Sequence, residues 1–173
     1  MKKQKRIVNT IGADSVFTKT GIDTQGDYTE METVLPRCGK EALAHVHPLQ
    51  TIRLEALEGA LGIVLPDRRL IIRPGHPFEI PKNVEHSFYN ADEKPIRFKS
   101  TLQPALHTEW LTKEISAVKQ RKLSRFMSVI QHSYIFSRVQ GEYFRSDIPV
   151  FFQKALAAIA RLTGVHKSVS AVF

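Results

Sequence analysis

The sequence predicts a mainly β protein: a small antiparallel β-barrel over residues 12–103, followed by two or three α-helices over residues 104–173. Three observations carry this reading. Turn residues recur at short, regular intervals as far as Leu102. Apolar residues then change to helical spacing beyond Pro104. Two histidine-bearing patterns, both with glycines at fixed offsets, fall within the first part.

The chain opens with a basic segment, residues 1–11, containing Lys2, Lys3, Lys5 and Arg6. Turn signals follow at Gly12-Ala13-Asp14, Asp23–Asp27, Pro66-Asp67 and Arg73-Pro74-Gly75, and again at Pro81-Lys82-Asn83 and Asn90–Glu93. Short strands between such punctuation argue for a sandwich or barrel. Leu61–Leu65 and Leu70–Ile72 flank Pro66–Arg69 and read as a hairpin.

Pro104 marks the change of character. Thr108 is read as a helix N-cap, and Glu109 and Lys113 form an i,i+4 pair. Leu111, Ile115 and Val118 share a helical face, and Leu123, Met127, Ile130 and Tyr134 continue the period. Ser146 or Asp147 is read as the cap of a last helix, with Pro149 in its first turn and Gly164 as its stop. Phe152, Leu156, Ile159 and Leu162 are spaced for its packed face, with Lys154 and Arg161 on another.

A hydrophobic content of 42% over 173 residues supports one globular domain with an appendage. The single cysteine, Cys38, excludes an internal disulfide, fits a reducing compartment and has no neighbour in sequence that would activate its thiol. No apolar run approaches the roughly 20 residues of a membrane span. The expected location is the cytoplasm. The net charge of +8 is uneven: residues 1–6 carry +4, residues 7–103 carry −2 and residues 104–173 carry +6. Nucleic acid is not the expected partner, because no recognised binding fold or helix-turn-helix accompanies the basic flanks. Solvated helix faces account for the charge, with an anionic partner or membrane surface as the alternative.

The chemistry concentrates in the two patterns. The first is Gly39-x5-His45-x-His47, followed by Pro48 and ending at Gly59; the second is Gly75-x5-Pro81-x-Asn83-x2-His86-x3-Asn90. These residues resemble the two signature motifs of the cupin superfamily. The resemblance spans roughly residues 12–103 and implies a double-stranded β-helix, or jelly roll, of RmlC-like type. It also implies a metal centre at the histidine positions. Asn83 replaces a family glycine and tolerates positive φ. Ile52 stands where the family carries a metal-binding glutamate. Three-histidine sites without that carboxylate occur in the superfamily, among its thiol dioxygenases for example. The ending Ala155–Gly164 resembles those of some bacterial single-domain cupins of undefined role.

Strand alternation puts His45 and His47 on one face, and His86 enters from a second strand. Three imidazoles form a donor set for a divalent transition metal, Fe, Zn, Ni or Mn, with positions left open for a ligand. The same alternation places Ile52, Leu54 and Ala56 inward and Thr51, Arg53 and Glu55 outward. Ile52 and Phe88 are therefore expected in the substrate pocket. Gln50 offers an oxygen, with the wrong parity unless the strand bulges.

Arg97 and Lys99 on the last strand are read as solvent-facing, and so is Glu79. Tyr28 and Met31 are read as core packing with a pocket-lining alternative, and Trp110, Phe126 and Tyr134 as helix packing. His76, His107, His132 and His166 fit no motif. Two function classes remain open. One is a metal-dependent enzyme on a small molecule, dioxygenase-like because the carboxylate is missing. The other is a metal-free ligand-binding or sensing module. The helices are assigned one of three roles: covering the barrel, forming a homodimer interface, or closing its mouth.

Overall fold

The computed structural model describes residues 7–8, 13–37, 41–121, 123–139 and 141–172. Of the residues named above, the basic run 1–6, Gly12, Cys38 and Gly39 lie outside the described residues. The strands are β1 (Ile7–Val8), β2 (Asp14–Lys19), β3 (Thr29–Leu35), β4 (His45–Val46), β5 (Thr51–Glu58), β6 (Leu61–Val64), β7 (Arg69–Ile72), β8 (Phe78–Ile80), β9 (Ser87–Asn90) and β10 (Ile96–Gln103). Helices α1 (Thr108–Gln120) and α2 (Arg125–Arg138) follow, then a short strand β11 (Phe144–Arg145) and helix α3 (Val150–Leu162). The fold is mainly β with C-terminal helices, as the sequence predicts.

All ladders are antiparallel. One sheet runs β1-β2-β3-β10-β5-β8 and a second runs β7-β6-β9. The chain before and through β4 extends the second sheet. The Ala42 N–H donates to the Phe88 carbonyl at 2.9 Å, His45 and His86 exchange both backbone bonds at 3.0 Å, and the Asn83 N–H donates to His47 at 3.0 Å. Strand β11 then pairs with the outer side of β4, matching Phe144 with Val46 and Arg145 with His45. A strand from the C-terminal region is thus built into the barrel wall beside two of the histidines.

The barrel core gathers between the sheets from alternate residues of each strand. Ile52, Leu54 and Ala56 of β5 are buried with Phe98 and Leu102 of β10, Ile63 of β6 and Ile80 of β8. The hairpin between β6 and β7 forms as expected, with Leu65 bonded to the Arg68 carbonyl. Gly59 has φ 78°, and a Cβ there would run into the Ile96 side chain. Asn83 adopts φ 62°, which accounts for an asparagine at a position the motif gives to glycine.

Three helix expectations need correction. Thr108 is the first helical residue and not the cap, because its hydroxyl is bonded to the Ala105 carbonyl at 2.8 Å; His107 precedes the helix. Pro149, and not Ser146 or Asp147, is the N-cap of α3; Gly164 ends that region with φ 74°, as expected. The packed face of α3 is Gln153, Ala157 and Ala160, whereas Phe152, Ile159 and Leu162 are exposed. Small residues allow close approach to α2, so the helix docks on the face with the least apolar area. A second apolar cluster, Trp110, Leu111, Val118, Ile135, Phe136 and Val139, joins α1 to α2.

Candidate metal centre

His45 ends a loop and starts β4, and His47 follows two residues later on the same face. His86 lies opposite His45 across the backbone bridge. The ring centroids of His45 and His86 are 4.4 Å apart, those of His45 and His47 5.2 Å, and those of His47 and His86 5.7 Å. All three residues are buried, and one ring nitrogen from each lies within 4.8 Å of the others.

The hydrogen bonds determine which nitrogen is available. His45 Nδ1 lies 2.8 Å from the Leu43 carbonyl, and His86 Nδ1 lies 2.9 Å from the Val84 carbonyl. A carbonyl only accepts, so each Nδ1 carries the proton. His47 Nδ1 meets Gln50 Oε1 at 2.8 Å. Gln50 Nε2 in turn donates to the Pro104 carbonyl and the Thr108 hydroxyl, both at 2.8 Å, and this fixes the amide so that Oε1 is the acceptor. Every Nε2 is therefore left with its lone pair. His86 Nε2 is buried with no hydrogen-bond partner. An orphaned acceptor of this kind is costly unless something binds it.

The electrostatics agree with this donor set. Burial pulls the His47 pKa down to about 4, against a raising effect from the Gln50 bond. Burial also drives His45 well below its usual range, with help from His86 and His47, and it lowers His86. Three neutral imidazoles presenting lone pairs to one centre fit a transition metal, which needs deprotonated ligands. Each Nδ1–H held by an oxygen acceptor supplies the orientation that metal-binding histidines require.

A cavity of about 200 Å³ opens beside His45 and His47. The barrel contributes Met31, Ile52, Leu54, Phe88, Ser100 and Leu102 to its wall, and the C-terminal region contributes Thr108, Leu111, Thr112, Ile115, Phe136 and Tyr143. None of these lining residues is an acid, a lysine or an arginine. Ile52 is 4% exposed, Phe88 packs edge-on against His45 at 5.8 Å, and both line this cavity. Two larger hollows, about 470 Å³ between α2 and α3 and about 720 Å³ beside Gly21, contain none of the three histidines.

The remaining candidates lie elsewhere. Arg97 bridges Glu58 and Glu32, and Lys99 bridges Glu55 and Glu30, on the outer face of the six-stranded sheet. Tyr28 accepts from Lys19 away from the cavity, whereas Met31 does line it. Glu79 and His76 are exposed. Trp110 packs in the helical cluster, and Phe126 is exposed. His107 pairs with Glu142, His132 with the Ser128 carbonyl, and His166 contacts the Tyr134 ring.

Sequence reasoning noticed Gln50 but gave it another role, and it missed Tyr143. Gln50 braces His47 rather than offering an oxygen to a metal. Tyr143 stacks on His45 at 5.1 Å with planes 25° apart and stands edge-on to His47 at 5.3 Å. Burial raises the pKa of its phenol above the ordinary value, so the hydroxyl is protonated. The signal for Tyr143 was faint: an aromatic pair, Tyr143-Phe144, after Gly141 and between two helices.

No protein-family model matches the chain, and no curated protein matches its sequence. Solved structures match its fold. The polyketide cyclase RemF from Streptomyces resistomycificus is 22% identical with a TM-score of 0.51, over 60% of this chain and 79% of that one. An RmlC-like cupin from Shewanella frigidimarina is 14% identical with a TM-score of 0.53, over 62% and 90%. A predicted oxalate decarboxylase from Thermotoga maritima is 15% identical with a TM-score of 0.53, over 59% and 92%. The chain has the cupin fold, a double-stranded β-helix, with C-terminal helices added to it.

Proposed function

We propose that this protein is a metal-dependent cupin acting on a small, uncharged and largely apolar molecule. The observation that carries the reading is the set of three buried imidazoles with their Nδ1 protons committed to oxygen acceptors. His45, His47 and His86 would hold the metal through Nε2. A divalent transition metal there would supply Lewis acidity or a redox centre, with positions left open for substrate.

The protein's own residues define the rest of the chemistry. Gln50 orients His47 and ties it to the junction at Pro104–Thr108. Ile52, Leu54, Phe88, Leu111 and Ile115 exclude water and favour an apolar body. Among the described residues the cavity wall has no carboxylate to act as a general base, which favours a dioxygenase-like reaction over proton abstraction. Among the described residues it has no lysine or arginine for a dianion. Of the chemistries named for the structural neighbours, that of the polyketide cyclase is nearer to such a lining than that of the predicted oxalate decarboxylase.

One observation favours a second reading. Ile52 removes the anionic ligand of the family and puts an apolar wall in its place, as a metal-free ligand-binding module would. Metal content separates the two. Mass spectrometry of untagged protein should find near-stoichiometric metal that disappears in a His45→Ala/His47→Ala double variant. No metal in either protein after loading with Fe, Zn, Ni and Mn would favour the binding module.

A further inference from the structure

We infer that Tyr143, supplied by the C-terminal region, is a ligand-contacting residue whose hydroxyl donates a hydrogen bond to an oxygen of the molecule held beside His45 and His47. The inference rests on the metal-centre reading and goes further, because it assigns the ligand an acceptor oxygen on its helix-facing side.

Three observations support it. First, the Tyr143 ring is packed against the two histidine rings and Phe136, with the Tyr143–Phe136 centroids 4.8 Å apart, and it faces the cavity. Second, Tyr143 is half-buried and its hydroxyl makes no hydrogen bond to any described residue, so its donor is free for a molecule in the cavity. Third, the position is braced from both sides. Strand β11 begins at the next residue and pairs with β4, and the preceding residue, Glu142, accepts from the His107 backbone N–H at 3.1 Å and contacts His107 Nδ1 at 2.6 Å. A phenol held this firmly against two candidate metal ligands, with its donor unspent, is arranged for recognition.

The cavity supplies few competing polar groups. The Thr108 hydroxyl is already engaged with Ala105 and Gln50. Ser100 and Thr112 are the other hydroxyls in the wall. The ligand class is therefore a small neutral molecule with an apolar body and an acceptor oxygen, such as a carbonyl or ether. The C-terminal region completes the site as well as covering it.

The test uses the whole protein loaded with Co(II), with acetohydroxamate as a small oxygen-donor probe read by the visible cobalt spectrum. Tyr143→Phe retains the ring, so cobalt affinity and melting temperature should match wild type. Probe affinity should fall roughly three- to tenfold, the loss of one net hydrogen bond. Equal probe affinity in the two proteins, with cobalt bound in both, overturns the role of Tyr143 and leaves the metal reading standing. Wild-type protein that takes up no cobalt overturns the metal reading and this inference with it. Tyr143→Leu, which also removes the ring, should lower the melting temperature as well and so separate packing from recognition.

Discussion

Gln50 holds His47 by a single 2.8 Å bond from Nδ1–H to Oε1, while its amide nitrogen reaches across to the Pro104 carbonyl and Thr108. One buried side chain therefore orients a candidate metal ligand and anchors the start of the helical region. Replacement by leucine should weaken Zn(II) binding about 10- to 100-fold, the usual cost of losing an orienting partner. It should also destabilise the fold by about 1–3 kcal/mol through the donors and acceptors left unpaired. Competition titration and chemical denaturation measure the two effects separately.

Ile52→Glu tests the missing carboxylate. In metal-free protein the new side chain is buried among Leu54, Ile80 and Leu102 with no cationic partner among the described residues of the cavity wall, and the melting temperature should drop. Zn(II) should restore it and bind more tightly than in wild type. An unchanged melting temperature together with unchanged metal affinity would contradict the placement of Ile52 beside the centre.

Acid should destabilise the metal-free protein in a defined window. The unfolded chain protonates His47 near 6.5, and the folded protein holds it at about 4. Between those values the unfolded state binds more protons, so stability rises with pH and is lost as pH falls. His45, His86 and His132 shift in the same direction. His47 alone corresponds to roughly 3 kcal/mol, fully present above about 6.5 and gone near 4. Urea denaturation in the presence of chelator, at several pH values, should show this slope, and His47→Gln should reduce it.

Much of the site was legible because it depends on local spacing. His45 and His47 share a face through the two-residue period, and the same period placed Ile52 in the wall. Gly59, Gly75 and Asn83 mark backbone turns that few other residues adopt. Tyr143 was not legible, because its role comes from contact with His45, more than 50 positions away; Gln50 was noticed, but its tie to Thr108, also more than 50 positions away, was not. The packed face of α3 was misread for a different reason. Periodicity finds an apolar stripe, but it does not say which face docks when a small-residue stripe competes.

That correction leads to a prediction. Phe151 and Leu162 are 76% and 88% exposed, so Phe151→Ser should change stability by no more than about 0.5 kcal/mol. Ala160 is fully buried on the α2 side, and Ala160→Leu should cost about 1–3 kcal/mol through overpacking. Thermal melts of the two variants, compared at the same protein concentration, check the assignment of faces.

The central claim is that Nε2 of His45, His47 and His86 form one metal centre. Anomalous diffraction at the zinc edge, from crystals of the untagged protein soaked in Zn(II), tests it most directly. The account predicts one strong peak about 2.0–2.1 Å from all three Nε2 atoms, with each Nδ1 still on its oxygen acceptor. A peak that avoids the triad, or imidazoles that turn to present Nδ1 instead, would contradict it.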